Sequence, residues 1–143
     1  MNVWVNGIFD IIHNGHIHLF RFAKNFLNKK NKLIVGIDTD KRVKELKGNL
    51  RPINSEKDRK EFLESIKYID KVVIYDTEEE MGKLIQENKI DIMIIGDDYK
   101  DKRVVGREFS KKDVFFYKKI EGYSTTNIIN KIKKVFCNEN NNR

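Results

Sequence analysis

The chain is 143 residues long, with 39% hydrophobic and 36% charged residues and a formal net charge of +7, which is the size of one domain with a full hydrophobic core. No apolar run approaches the ~18 residues of a membrane span, no basic stretch followed by an apolar one opens the sequence as a secretory signal would, and the single cysteine, Cys137, cannot form an internal disulfide. These features predict a cytoplasmic protein with no membrane partner; the positive excess suits an anionic partner, and equally an ordinary solvated surface, because the lysines are spread along the chain.

Val3 to Val5 is a short apolar strand that ends at Asn6-Gly7. Ile17 to Leu27 places Ile17, Leu19, Phe20, Phe22, Ala23, Phe26 and Leu27 at helical spacing. Asn28 to Asn31 is a polar break, after which Lys32 to Asp38 reads as a fully buried strand, since its apolar run is continuous. Lys41 to Leu46 is a short basic helix, and Lys47 to Pro52 is a loop marked by Gly48 and the only proline. Asn54 or Ser55 can cap the next helix, with Phe62, Leu63, Ile66 and Ile69 on one face. Lys71 to Tyr75 is the third strand; Thr77 caps a helix bearing Met81, Leu84 and Ile85; Asp91 to Ile95 is a fourth strand ending at Gly96-Asp97-Asp98. Val114 to Tyr117 is the fifth strand, and Ser124 starts a final helix with Ile128, Ile129, Ile132 and Val135.

Strands alternating with helices predict an α/β fold: a Rossmann-like, doubly wound, parallel five-stranded sheet in a single domain over 1–137, with 138–143 as a disordered tail. Ligands in such folds sit at the carboxyl ends of the strands. Three of those ends carry polar constellations: Asn6 to His16, Gly96 to Tyr99, and Gly122 to Thr126. The first holds every histidine of the chain (His13, His16, His18) within six residues. A strand-to-helix turn presents free N–H groups and the positive end of a helix dipole, so it suits phosphate. Imidazoles there add hydrogen bonds, or positive charge if protonated, and Gly15 lets the backbone approach a ligand closely. Ser124, Thr125 and Thr126 at a helix start serve as caps with or without a ligand, and three hydroxyls there can also hold phosphates. Asp10 fits either a brace for its loop or a site near magnesium, which needs few protein oxygens when a triphosphate supplies the rest. Cys137 and the histidines do not have zinc-site spacing, and no helix-turn-helix, RNP or zinc-finger pattern supports nucleic acid as a partner.

His13-Asn14-Gly15-His16, preceded by Asn6-Gly7-x-Phe9-Asp10, resembles the His-x-Gly-His motif of the cytidylyltransferase-like nucleotidyltransferase superfamily, and the resemblance runs over roughly residues 3 to 133. It implies in-line attack by an acceptor phosphate on the α-phosphate of a nucleoside triphosphate, ATP or CTP, with Mg2+ as cofactor and release of pyrophosphate. On the same basis His13, His16, Lys47 and Arg59 are the expected catalytic residues. Asn6, Gly7, Phe9, Asp10, Gly15, Gly96, Asp97, Asp98, Lys119, Gly122, Tyr123, Ser124, Thr125 and Thr126 are the expected nucleotide-binding residues, and Lys44 and Arg51 are expected to bind the acceptor. Two acceptors are implied. Lys47-Gly48 with Arg51-Pro52-Ile53-Asn54, Val104-Val105-Gly106 and Glu121-Gly122-Tyr123 resemble heptose-1-phosphate adenylyltransferases. Asp97-Asp98 and Lys119 resemble glycerol-3-phosphate cytidylyltransferases. The resemblance further implies a homodimer and, for the heptose reading, a sugar kinase on a separate chain. A catalytically silent nucleotide-binding module is the alternative of another class.

Overall fold

The computed structural model describes the backbone of residues 1–141 and side chains as far as Cys137. Five strands, β1 (Asn2–Gly7), β2 (Lys32–Asp38), β3 (Lys71–Tyr75), β4 (Ile92–Gly96) and β5 (Phe115–Tyr117), form one parallel sheet in the order β3-β2-β1-β4-β5. Five α-helices accompany them: α1 (Asn14–Lys24), α2 (Asp40–Lys47), α3 (Glu56–Glu64), α4 (Glu78–Glu87) and α5 (Thr125–Asn141). The expected doubly wound α/β architecture is the one observed.

The continuous apolar strands are explained by cover on both faces. On one face Val3, Val5, Leu33, Val35, Ile37 and Val72 pack with Phe20, Ala23 and Leu63 of the helices. On the other, Trp4, Ile34, Tyr75 and Met93 pack with Met81 and Ile85 of α4 and with Val104. β1 alternates between the two cores, which places it at the centre. Its neighbours β2 and β4 lead to opposite halves of the sheet, so the crevice beyond its carboxyl end is the topological switch point. The register sets Asn6 beside Gly36, Gly7 beside Ile37 and Asp38 beside Tyr75, and on the other half Gly96 beside Tyr117.

Some boundaries differ from the sequence reading. Helix α1 starts three residues early, at Asn14, because the histidines themselves cap it, and it stops at Lys24. Leu27 takes a left-handed φ of 58° in a short 3-10 turn and is 61% exposed, so it leaves the apolar face it was expected to join. Helix α3 ends at Glu64; Ile66 and Ile69 reach the core from the following turns, and Phe62 lies 48% exposed on the other side. Helix α5 extends through Asn141, into the segment 138–143 read as a tail; residues 142 and 143 lie outside the described residues. Among the described residues no helix is long and apolar enough to cross a membrane.

Candidate active site

The His13-Asn14-Gly15-His16 segment is the first turn of α1, held by a reciprocal cap. His13 Nδ1 accepts from the Gly15 N–H at 3.1 Å, and His16 Nδ1 accepts from the His13 N–H at 3.2 Å. A ring nitrogen that accepts carries no proton, so each neutral imidazole carries its proton on Nε2. The rings stack with centroids 3.8 Å apart, and Phe9 stands edge-on to His16 at 5.2 Å. Burial, then the neighbouring His13, then Lys119 push His16 down to about 3; burial and Lys119 also lower His13. In the free protein the pair therefore presents neutral N–H donors rather than the positive charge that protonation would give.

Helix α5 brings its N-terminus to the same place. Thr125 Oγ1 donates to the Ile11 carbonyl at 3.2 Å, and Ser124 Oγ accepts the Asn127 N–H at 3.0 Å. The Tyr123 ring lies nearly parallel to His13, centroids 6.4 Å apart. Gly15 is required by this approach: a Cβ there would stand 2.8 Å from both His13 Cε1 and Tyr123 Cβ. Gly122 turns the chain into the helix with a φ of 88°. Neither helix has an acidic residue in its first turn, so two positive dipole ends meet unneutralised. Thr126 is exposed at this corner. Lys119 pairs with Asp98 at 3.1 Å across Gly96, where a Cβ would stand 2.5 Å from Lys119 Cε. Asp97 is exposed at the start of the turn after β4.

Several expected ligand contacts turn out to be scaffolding. Arg59 is 0% exposed; it donates to the Ile8 carbonyl at 2.9 Å, the Asn54 carbonyl at 3.0 Å and Asp40 Oδ1 at 2.9 Å. It is a brace between three segments, not a group that reaches phosphate. The Asp10 carboxylate is buried and saturated by the N–H groups of Ile53 and Asn54 and by Asn54 Nδ2. Arg51 Nη2 donates to the Asp10 carbonyl at 2.8 Å, which ties this part-exposed side chain to the Asp10 loop. Phe9 is buried behind His16 and on Phe20, and a Cβ on Gly7 would press on its ring. Asn6 accepts from Trp4 Nε1 at 3.0 Å and reaches the Tyr75 hydroxyl at 3.5 Å. Lys44 and Lys47, on the last turn of α2, are exposed and form no ion pair among the described residues.

The sequence reading missed Asp38, Asp40 and Tyr75. Asp40 receives Arg59 and caps α3 through the Glu56 N–H at 2.7 Å. Asp38, 5% exposed, takes the Arg42 Nε at 2.7 Å; burial and then its charge raise the Tyr75 hydroxyl, which stays protonated. Only the Asp38-Thr39-Asp40 cluster after a strand signalled any of this locally.

A family model for the cytidylyltransferase-like proteins matches residues 4–131. The chain belongs to the cytidylyltransferase-like family. It is 45% identical to the bifunctional protein HldE of Campylobacter fetus subsp. fetus (strain 82-40) over 92% of this chain and 28% of that protein. The figures for the bifunctional protein HldE of Helicobacter pylori (strain P12) are 46%, 92% and 28%. The chain thus spans just over a quarter of the length of these curated relatives. The crystal structure of the lipopolysaccharide core biosynthesis protein from Thermoplasma volcanium GSS1 aligns with a TM-score of 0.68 at 25% identity, covering 85% of this chain and 98% of that one. Magnesium, expected from the sequence motif, needs oxygen ligands. No group of three or more His, Cys, Asp or Glu among the described residues could hold a metal ion, and Asp10 has no free oxygen to offer. Among the described residues the corner thus offers no ready-made carboxylate cluster for Mg2+.

Proposed function

We propose that this protein joins a nucleoside triphosphate to a phosphorylated sugar and releases pyrophosphate, with ATP and heptose 1-phosphate as the substrates. The observation that carries the reading is the meeting of two stacked imidazoles, both with Nε2–H free, and two unneutralised helix N-termini at the switch point of the sheet. The acceptor phosphate is already an anion, so no side chain acts as a nucleophile. One of its oxygens attacks the α-phosphorus in line, the bond to the bridging oxygen breaks, and pyrophosphate leaves with the electron pair. His13 and His16 donate hydrogen bonds to the oxygens on which charge gathers. Thr126 and the free amides of the α5 first turn hold the β- and γ-phosphates, and Lys119 leaves Asp98 for the phosphate chain. Lys47 and Lys44 are the free cations offered to the acceptor. Mg2+ arrives on the triphosphate as part of the substrate.

The heptose-like loop Lys47 to Asn54 and the identity with bifunctional protein HldE support this acceptor. A sugar kinase must then supply it, and a homodimer belongs to the same reading. Asp97-Asp98 and Lys119 favour a second reading, CTP with glycerol 3-phosphate. Pyrophosphate release, measured with Mg2+ for ATP and CTP against each acceptor, decides between them. Nucleotide binding without turnover on any acceptor would make the protein a silent module instead. In the active pair, His16→Ala should lower turnover by about 100-fold or more with the fold intact; near-normal turnover would refute the assignment.

A further inference from the structure

Trp4, the only tryptophan of the chain, is fully buried in β1, and its indole N–H donates to Asn6 Oδ1 at 3.0 Å. An indole is a donor only, so this bond settles which way round the Asn6 amide sits: its oxygen is committed to Trp4 and its NH2 group is the end left for other partners. That group reaches the Tyr75 hydroxyl at 3.5 Å. Its second hydrogen has no acceptor among the described residues, and Asn6 is only half-buried at the carboxyl end of β1. Tyr75 is itself buried and stands opposite Asp38 in the register of β2 and β3. Burial and then the Asp38 charge keep its hydroxyl protonated, so the hydroxyl hydrogen turns to that carboxylate and the lone pairs to Asn6. Asp38 in turn takes Arg42 Nε at 2.7 Å, and the Arg42 guanidinium lies over the Tyr75 ring at 5.9 Å. Gly36 makes room for the chain of contacts, since a Cβ there would run into the Trp4 ring and press on Tyr75.

We propose that Tyr75 and Asp38 are positioning residues that hold Asn6 as a fixed N–H donor to the phosphorylated acceptor, which rests on the reading of the site as one for two phosphorylated substrates. The direction of the contacts supports the acceptor rather than the nucleotide. In the sheet order β3-β2-β1-β4-β5, Asn6 reaches across β2 toward β3, away from Gly96 and the Lys119–Asp98 pair beyond β4. The same half of the sheet leads into α2, which bears Arg42 and, further along, the exposed Lys44 and Lys47. The substrate on this side is therefore one that offers phosphate or hydroxyl oxygens, met by a neutral donor from β1 and by cations from α2. Holding the amide matters because a free asparagine presents its oxygen as readily as its nitrogen. An amide held by a buried network has no ordering cost left when the ligand arrives. The Tyr75 main chain serves the fold separately, its carbonyl accepting the Thr39 N–H at 3.1 Å at the start of α2, so the hydroxyl alone is the part that acts on Asn6.

The lone tryptophan reports on this site without turnover. The 1H–15N spectrum of the protein holds a single indole cross-peak, and titration with heptose 1-phosphate or glycerol 3-phosphate should move it, because the Asn6 amide that would bind them is bonded to that indole. A signal that moves only with ATP puts Asn6 on the nucleotide and overturns the proposal, as does one that none of these ligands moves. A wild type whose signal moves with an acceptor but which releases no pyrophosphate would sink the proposed reaction and leave this inference standing. By calorimetry, Asn6→Ala should weaken acceptor binding about 10-fold and Tyr75→Phe, which keeps the ring, about 3-fold, with ATP binding within about 2-fold of wild type in both. Because Tyr75 acts through Asn6, the double variant should bind the acceptor no more weakly than Asn6→Ala alone. Additive losses, or a Tyr75→Phe variant that binds the acceptor like wild type, overturn the proposal; if Tyr75→Phe fails to fold, Asp38→Asn combined with Asn6→Ala gives the same cycle.

Discussion

Arg59 separates a brace from a phosphate contact, and replacing it with methionine keeps the length while removing every donor. In the native protein its guanidinium is fully buried and makes three hydrogen bonds, to Ile8, Asn54 and Asp40. Its loss leaves the Ile8 and Asn54 carbonyls without this donor and Asp40 with only the Glu56 N–H. Hydrogen bonds from a charged donor contribute about 1.5 kcal/mol each at the low end, so losing three costs about 3–5 kcal/mol, a large part of the ~5–15 kcal/mol that holds a domain together. Each kcal/mol lowers the midpoint of a domain this size by about 3–5 °C, so Arg59→Met should melt at least ~10 °C lower. Urea unfolding of the nucleotide-free protein, followed by circular dichroism, should show the same loss. The refuting result is an Arg59→Met variant within about 1 kcal/mol of wild type that has nonetheless lost pyrophosphate release; that pattern would return Arg59 to the phosphates.

The histidines predict an acid weakness. His16 is held near 3 when folded against 6.5 when unfolded, so the unfolded chain binds the extra proton between those values. The stabilisation is complete above pH 6.5 and is lost as the pH falls toward 3, by about 2 kcal/mol at pH 5. Urea midpoints at pH 7.5 and pH 5 should differ by that much more in wild type than in His16→Gln; equal differences would mean that His16 titrates normally. Gly15→Ala places a methyl 2.8 Å from His13 Cε1 and Tyr123 Cβ. It should cost about 1–3 kcal/mol and lower turnover more than 10-fold, because His13 must shift; an unchanged turnover would show that the corner tolerates looser packing.

The strand and helix alternation was legible because burial on two faces writes itself locally, as continuous apolar runs in Leu33 to Ile37 and Ile92 to Ile95 and as helical spacing between them. The motif histidines were legible for a similar reason: a strand-to-helix turn with Gly15 is set by a few adjacent residues. The helix ends were less so. His13 as a cap, the left-handed Leu27 and the Ser65 stop each depend on one backbone hydrogen bond or dihedral angle that no periodicity reports.

The roles of the charged residues needed the tertiary structure. Arg51, Arg59 and Lys119 are all basic residues beside a motif, and nothing in their neighbours along the chain separates them. The fold buries Arg59 under Ile8 and Asp40, ties Arg51 to Asp10, and leaves Lys119 beside the histidines. Asp10 likewise binds a loop more than 40 residues away, at Ile53 and Asn54, rather than a ligand. The sequence by itself determined the layers of the fold and the turn where phosphate is handled, because both follow from local patterns of apolar and turn-forming residues. Only the tertiary structure decided which charges face that turn and which hold it in place, because desolvation depends on what the rest of the chain packs around a side chain.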